Sequence, residues 1–400
     1  MTLATTRSAV ISIGLAAALA VVAALSLAIT SSQTGAGVIP TFTVNTTADT
    51  GALGCQDAPG DCTLREAITA ANLANPATIE FDIAGCPPAC TITPTASLPD
   101  IVVNNVVIDG TTQQAPDGTP LIVISGASVA NGHGLSVGPF GVGGDGVTVR
   151  TLEVRDFPGR GIFVGGNAQN VSILNNVVMG SGSEGIDMRG QDSEVAGNTV
   201  EGSARSGIYL DSLASNVAVH DNTLTGNSQS GVSSFDPVFN ITDNLVEGND
   251  TGIVTNGGSG TIARNVVSNN LRTGIRPYGE SVVEDNTVTG NGRAGIALDG
   301  PGPHEVRDNT VTGNGDLAPE VGDQSGVKTQ ALNSTVVGNT ITGNASDGVY
   351  IDAHFAVIGG TGADANTITD NGRAGVFVVE AVITPAAVPA GGEEDDALSA

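Results

Sequence analysis

The chain has 400 residues, room for one large domain or two ordinary ones. It carries 14 Lys and Arg against 41 Asp and Glu, a formal net charge of −27. That balance removes the electrostatic basis for binding nucleic acid and disfavours anionic membrane surfaces. Hydrophobic residues make up 40% of the chain, which excludes disorder from low hydrophobicity. With no Trp, three Tyr and nine Phe beside 56 Gly, the core has to come from Val, Ile, Leu and Ala, in strands broken by Gly turns.

Residues 1–36 hold Arg7, no acid, and an apolar run from Ala9 to Ile29, followed by small residues at Thr34 and Ala36. This reads as a secretory signal peptide. The run is also long enough to stay uncleaved as an N-terminal membrane anchor, and a buried helix is the third option. In the first two cases the rest of the chain is secreted or at the cell surface.

Cys55, Cys62, Cys86 and Cys90 follow closely. An even number in an exported chain predicts two disulfides, and the spacings favour Cys55–Cys62 and Cys86–Cys90, with three connectivities open. A metal site is the weaker reading, because there is no C-x-x-C and the nearest His is His133. Cys62–Asn72 is the one clear helix. Thr63 and Glu66 form a capping box, Leu64, Ala67, Ile68 and Ala71 form an apolar stripe, and Pro76 stops it. Residues 37–100 are predicted to be a cap with the first rungs of a repeat array, including strands at Thr41–Val44 and Thr78–Ile83.

The repeat itself fills residues 101–380. A Gly followed by Ile or Val recurs at Gly161, Gly185, Gly207, Gly231, Gly252, Gly274, Gly295, Gly326, Gly348 and Gly375. A second column holds Asn176, Asn198, Asn222, Asn244, Asn265, Asn286, Asn309, Asn339 and Asn366. Each unit of about 22 residues contains three short strands and no helical period, which predicts a parallel β-helix of about 13 rungs. Leucine-rich repeats share the period but need Leu at fixed offsets and a helical segment. Asn tolerates the left-handed conformation of tight corners, and stacked amides bond along the stack, so the Asn column is read as structural. Residues 381–400 end in Gly391–Asp396 and read as a disordered acidic tail.

Two resemblances follow from these residues. Cys-Thr-Leu-Arg-Glu-Ala-Ile at 62–68 resembles the CSLREA motif near the N-terminus of secreted bacterial β-helix proteins, with Thr63 in place of the Ser. The downstream rungs resemble the right-handed parallel β-helix repeat family, in the superfamily of pectate lyases and polygalacturonases. The resemblance implies an all-β right-handed solenoid in an extracellular setting and leaves the activity open.

Candidate chemistry is sparse. Asn131-Gly-His-Gly134 resembles the G-H-G of polygalacturonases without their other motifs, so His133 reads as a loop residue. Gly143-Gly-Asp-Gly146 resembles a calcium-binding repeat that works only in tandem, and it occurs once. Asp221, Asp243, Asp285 and Asp308 precede the Asn column. Ca²⁺ would relieve their repulsion, and a solvated corner, the favoured reading, would tolerate it. No other cofactor and no metal site are expected.

Numbered from each Gly, the second and fourth following residues face outward. All three Tyr and the only Lys sit there. The predicted ligand-binding set is Tyr209, Asp211, Tyr278, Asp299, Lys328, Gln330, Tyr350 and Asp352, since exposed rings beside carboxylates and amides suit sugars. The competing explanation is ordinary cross-strand packing. Catalytic candidates are Asp299, Asp352, His354 and Arg189. The insertion Asp316–Gln324 is expected to wall this site. The chain is expected to be a monomeric binding or structural module for an extracellular polysaccharide or cell-surface glycan. The competing class is a polysaccharide lyase, hydrolase or epimerase on the same scaffold.

Overall fold

The computed structural model describes residues 38–379, apart from 52–54, 56–61, 87 and 318–320. The expected signal segment and acidic tail lie outside the described residues. The chain divides after Ile39, and every described strand and helix belongs to the unit that begins at Pro40.

That unit is a parallel β-helix. Its strands of two to five residues stack into three sheets of 13, 12 and 11 strands, with each strand paired in parallel to the equivalent strand one turn away. The alternation in each strand sets the register. In Ile208–Leu210 the two aliphatic ends are buried and Tyr209 points outward. Along the third sheet, Ile162, Ile186, Ile208 and Val232 pair in series, and Ile253, Ile275, Ile296, Val327 and Val349 continue the column. All are fully buried. Val376, in the last described turn, is 44% exposed because no turn covers it among the described residues.

Among the described residues, two incomplete turns precede eleven complete ones. The first holds strand Thr41–Val44 and then helix α1 (Leu64–Ala71). The second holds Ala77–Phe81 and Cys90–Ile92, with Ile101 making a single bridge to Val137. The next strand of the first sheet is Val106–Asp109. Thr63 caps α1 through its side chain and Glu66 bonds back, completing the capping box. Leu64, Ala67, Ile68 and Ala71 are buried against the first strands, so the helix closes the end of the core. Cys55–Cys62 and Cys86–Cys90 are disulfide-bonded.

The corners carry the main correction to the sequence reading. The left-handed residue is not the column Asn but the residue before it: Asp221 (φ 56°), Asp243 (59°), Asp285 (54°) and Asp308 (58°). Short polar side chains tolerate that conformation, which accounts for the Asp column on backbone grounds. The Asn that follows is buried and works as a ladder. The backbone N–H and Nδ2 of Asn222 both donate to Oδ1 of Asn244 at 3.0 Å, and Nδ2 also donates to the Val195 carbonyl at 2.8 Å.

A second ladder stands at the corner between the second and third sheets. It runs through Asn227, Asn249, Asn270, Asn291, Asn314, Asn344 and Asn371. Sequence reading missed it, although Thr-Gly-Asn at 225–227, 289–291, 312–314 and 342–344 spells it out. Each of these Asn also follows a left-handed residue, such as Gly226 (φ 62°).

Candidate functional site

The third sheet presents its mid-strand residues in one column: Phe163, Asp187, Tyr209, Ser233, Val254, Arg276 and, after Ala297, Lys328, Tyr350 and Phe377. Ile296–Leu298 and its neighbours place one outward side chain per turn. The residue after each strand, such as Asp211, Tyr278, Asp299 or Gln330, adds a second. Two groups of polar side chains form on this face.

The first group is a cleft of about 400 Å³. Four cations line it, Arg272, Arg276, Arg293 and Lys328, against two carboxylates, Asp299 and Asp323. Arg276 pairs with Asp299 at 2.6 Å, and Lys328 and Arg293 share Asp323 at 2.7 and 3.4 Å. Asp323 comes from the insertion, which therefore does border the cleft. Tyr278 stands half exposed at the rim, its ring lying across Gly300. A Cβ at Gly300 would come within 3.1 Å of that ring, and the glycine also has φ +85°, so both space and backbone require it. Behind the cleft, buried His304 donates from Nε2 to the Asp299 carbonyl at 3.0 Å and holds the turn. A larger groove of about 640 Å³ lies on the first sheet beside Ser259, Glu280 and Glu305, but no Lys or Arg lines it.

The second group lies nearer the N-terminal end. Asp187 is fully buried beneath two arginines. Arg160 Nε contacts its Oδ2, and Arg189 reaches both oxygens at 3.1 and 3.3 Å. The two guanidinium groups sit 5.0 and 5.1 Å from the centre of the Phe163 ring. Burial pushes the Asp187 carboxyl above its ordinary range, against the pull of Arg189 and Arg160. Glu184 accepts from Ser183 Oγ at 2.5 Å and pairs with Arg205 at 3.3 Å. Tyr209 packs on Phe235 at 5.7 Å, and burial, followed by the charge of Asp211, raises its phenol. His133 packs on Phe163 at 5.2 Å and accepts the Arg160 backbone N–H at Nδ1, at 3.1 Å. Burial, followed by the charge of Arg160, holds this imidazole below its ordinary value.

The structure brings Tyr278, Asp299, Lys328 and Gln330 into one cleft. Tyr350 and Asp352 sit one turn beyond Lys328 and Gln330. Tyr350 is the strand partner of Lys328, and Asp352 accepts from Gln330 Nε2 at 3.2 Å. Tyr209 and Asp211 belong to the other group, with Arg189 3.8 Å from Asp211. Asp299 is already paired with Arg276. His354 is exposed in the turn after its strand, with its ring 6.3 Å from Phe355. Asp187 was expected to face solvent and is buried instead, because Arg160 and Arg189 fold over it. His133, Arg160 and Glu184 were missed as site residues. Extending the Gly column back one turn to Gly134, which bonds to the Arg160 carbonyl, would have placed His133 at the head of this sheet.

No curated protein matches the chain by sequence. The family model described as "Right handed beta helix region" matches residues 104–262 and 251–384. Among solved structures, the A-module of the Azotobacter vinelandii mannuronan C-5 epimerase AlgE6 is similar in fold, with a TM-score of 0.56 at 18% identity over 80% of this chain and 94% of that one. The tailspike protein of E. coli bacteriophage HK620, solved in complex with pentasaccharide, gives a TM-score of 0.47 at 13% identity over 76% of this chain and 63% of that one.

Proposed function

The chain belongs to the right-handed β-helix family, and on that premise we propose that its third sheet binds an extended acidic polysaccharide laid along the stack of turns. The distribution of charge carries this reading. Eight of the 14 Lys and Arg (Arg160, Arg189, Arg205, Arg272, Arg276, Arg293, Lys328 and Arg373) lie on this sheet or in the turns that flank its strands. In each arginine pair of this face the guanidinium is the more exposed partner and the carboxylate the more covered one. Side-chain exposure is 60% against 7% for Arg205–Glu184, 53% against 16% for Arg276–Asp299, and 42% against 0% for Arg373–Asp347. The carboxylates thus hold the guanidinium forks in place while N–H groups remain toward solvent, where they suit carboxylates repeated along a polymer. Tyr278 adds an open ring face for a sugar. The same reading places the protein outside the cytoplasm, secreted or on the cell surface. Two disulfides and the C-T-L-R-E-A segment support that setting.

Calorimetry against a polyuronate and its carboxyl-reduced counterpart tests the proposal. The polyuronate should bind, more weakly as salt rises, and joint Arg276→Ala and Lys328→Ala substitution should cost about tenfold or more in affinity. Equal binding of the neutral polymer, or no binding of either, would overturn it.

One observation favours a second reading, a polysaccharide lyase, hydrolase or epimerase. His133, Asp187 and Tyr209, all shifted by burial, gather at one end of the same face. Unsaturated uronate, new reducing ends or solvent-deuterium exchange at the sugar carbon in a polyuronate digest would establish it. A polymer recovered unchanged leaves the binding reading in place.

A further inference from the structure

His133 makes two polar contacts with Arg160, and a neutral ring can satisfy only one of them. The Arg160 backbone N–H points at Nδ1 at 3.1 Å, and the Arg160 side-chain Nη1 lies 3.4 Å from Nε2. Both groups on Arg160 are donors, whereas neutral imidazole has one acceptor nitrogen and one N–H. The backbone N–H is fixed in the turn and makes the shorter contact, so Nδ1 accepts and Nε2 carries the proton. Protonating the second nitrogen would make both contacts repulsive, and burial beside Arg160 already opposes that. The consequence is two N–H donors, Nε2 of His133 and Nη1 of Arg160, converging 3.4 Å apart with no acceptor between them.

We propose that this donor pair is a second recognition point of the third sheet, taking one carboxylate oxygen of the acidic polysaccharide. The inference rests on the binding reading above and extends it to a particular place. Arg160 is held for the role. Its Nε contacts Asp187, its guanidinium lies over Phe163, and Glu184 Oε2 stands 3.5 Å from Nε, so Nη1 is left to point at a ligand. His133 is held by its Nδ1 bond and by the Phe163 ring. An anionic acceptor suits the pair, because hydrogen bonds between charged partners are about twice as strong as neutral ones.

Position makes the proposal testable. The strand after Arg160, Ile162–Val164, lies five strand steps from Ile275–Pro277, the first strand of the cleft. At the spacing of neighbouring strands that is ~24 Å. A short oligosaccharide seated in the cleft cannot reach His133, while a long one engages both points and gains from the shared tether.

The experiment uses the full chain and two probes, a tetrasaccharide and a dodecasaccharide of uronic acid. His133→Asn keeps an acceptor oxygen near the Nδ1 position and removes the Nε2 donor. It should lower affinity for the dodecasaccharide about tenfold and leave the tetrasaccharide within about twofold. In ¹⁵N–¹H spectra of the wild type, the His133 Nε2–H should be present without ligand and move downfield with the dodecasaccharide only. Wild-type binding of both probes with no effect of His133→Asn, or a His133 protonated at Nδ1 instead, overturns this inference and leaves the cleft reading standing. Failure of the wild type to bind either probe overturns the cleft reading as well.

Discussion

Asn227 donates its side-chain amide to Oδ1 of Asn249, one turn further along the stack, at 2.9 Å, and its backbone N–H reaches the same oxygen at 3.0 Å. Asn249 in turn donates to the Leu224 carbonyl and to Asn270 Oδ1, at 3.0 and 3.2 Å, from a position with no solvent exposure. Asn249→Ala would remove these bonds and leave the Asn227 N–H buried without an acceptor. The expected cost is about 3 kcal/mol. Chemical denaturation should register it, and faster hydrogen exchange at the Asn227 amide should locate it. An unchanged midpoint would mean that the ladder is incidental to stability.

The ladder stops where Asn gives way to Ser. Ser203 N–H donates to Asn227 Oδ1 at 3.0 Å, but the Ser203 hydroxyl is buried with no partner. Ser203→Asn should extend the ladder by one turn toward Ser181 and stabilise the protein by about 1 kcal/mol. A destabilised variant would show that this corner is too tight for the longer side chain.

Leu64 and Ile68 are fully buried where α1 closes the first turns. Changing both to Asp should free the helix from the core and expose strand edges, giving end-to-end association in size-exclusion chromatography. A monomeric, stable double variant would remove the capping role.

The three outward Tyr should not contribute equally to ligand binding. Tyr350 stacks on Phe377 at 5.6 Å and Tyr209 packs on Phe235, whereas Tyr278 stands half exposed beside the cleft. Tyr278→Ala should weaken polyuronate binding by about 1 kcal/mol without changing stability. Tyr350→Ala should lower the melting temperature and affect binding less. The reverse pattern would move the binding site toward the C-terminal end of the sheet.

His220 bridges Asp221 at 2.7 Å and Glu194 at 2.9 Å on the first sheet. Partial burial lowers its affinity for a proton, but the bonds to Asp221 and then Glu194 outweigh this, and its pKa is raised. The charged imidazole therefore contributes stability that is complete below its unfolded value, about 6.5, and fades as pH rises through the higher folded value. The gap in denaturation midpoint between wild type and His220→Gln should be widest near pH 5.5 and shrink by about pH 8.5. A gap that widens with rising pH would reverse the assignment.

The period of the Gly column, the alternation within three-residue strands and the capping box at Thr63 and Glu66 were all legible from the residues themselves. They record backbone preference and burial, which are decided within a few residues of each position. The outward placement of Tyr209, Tyr278 and Tyr350 followed from the same alternation. The partner of each charged side chain did not. Arg276 could turn toward several carboxylates one turn above or below, and only the packed turns select Asp299, as they select Asp323 for Lys328. Asp187 holds an outward position by strand parity and is nonetheless buried, because Arg160 from the preceding turn and Arg189, two residues further along its own turn, fold across it. His133 stood in a turn too irregular for the repeat to register, yet the stack carries it to Arg160. Long flexible side chains choose among neighbours that are adjacent in space and about 22 residues apart in sequence, so the chemistry of this face belongs to the tertiary structure.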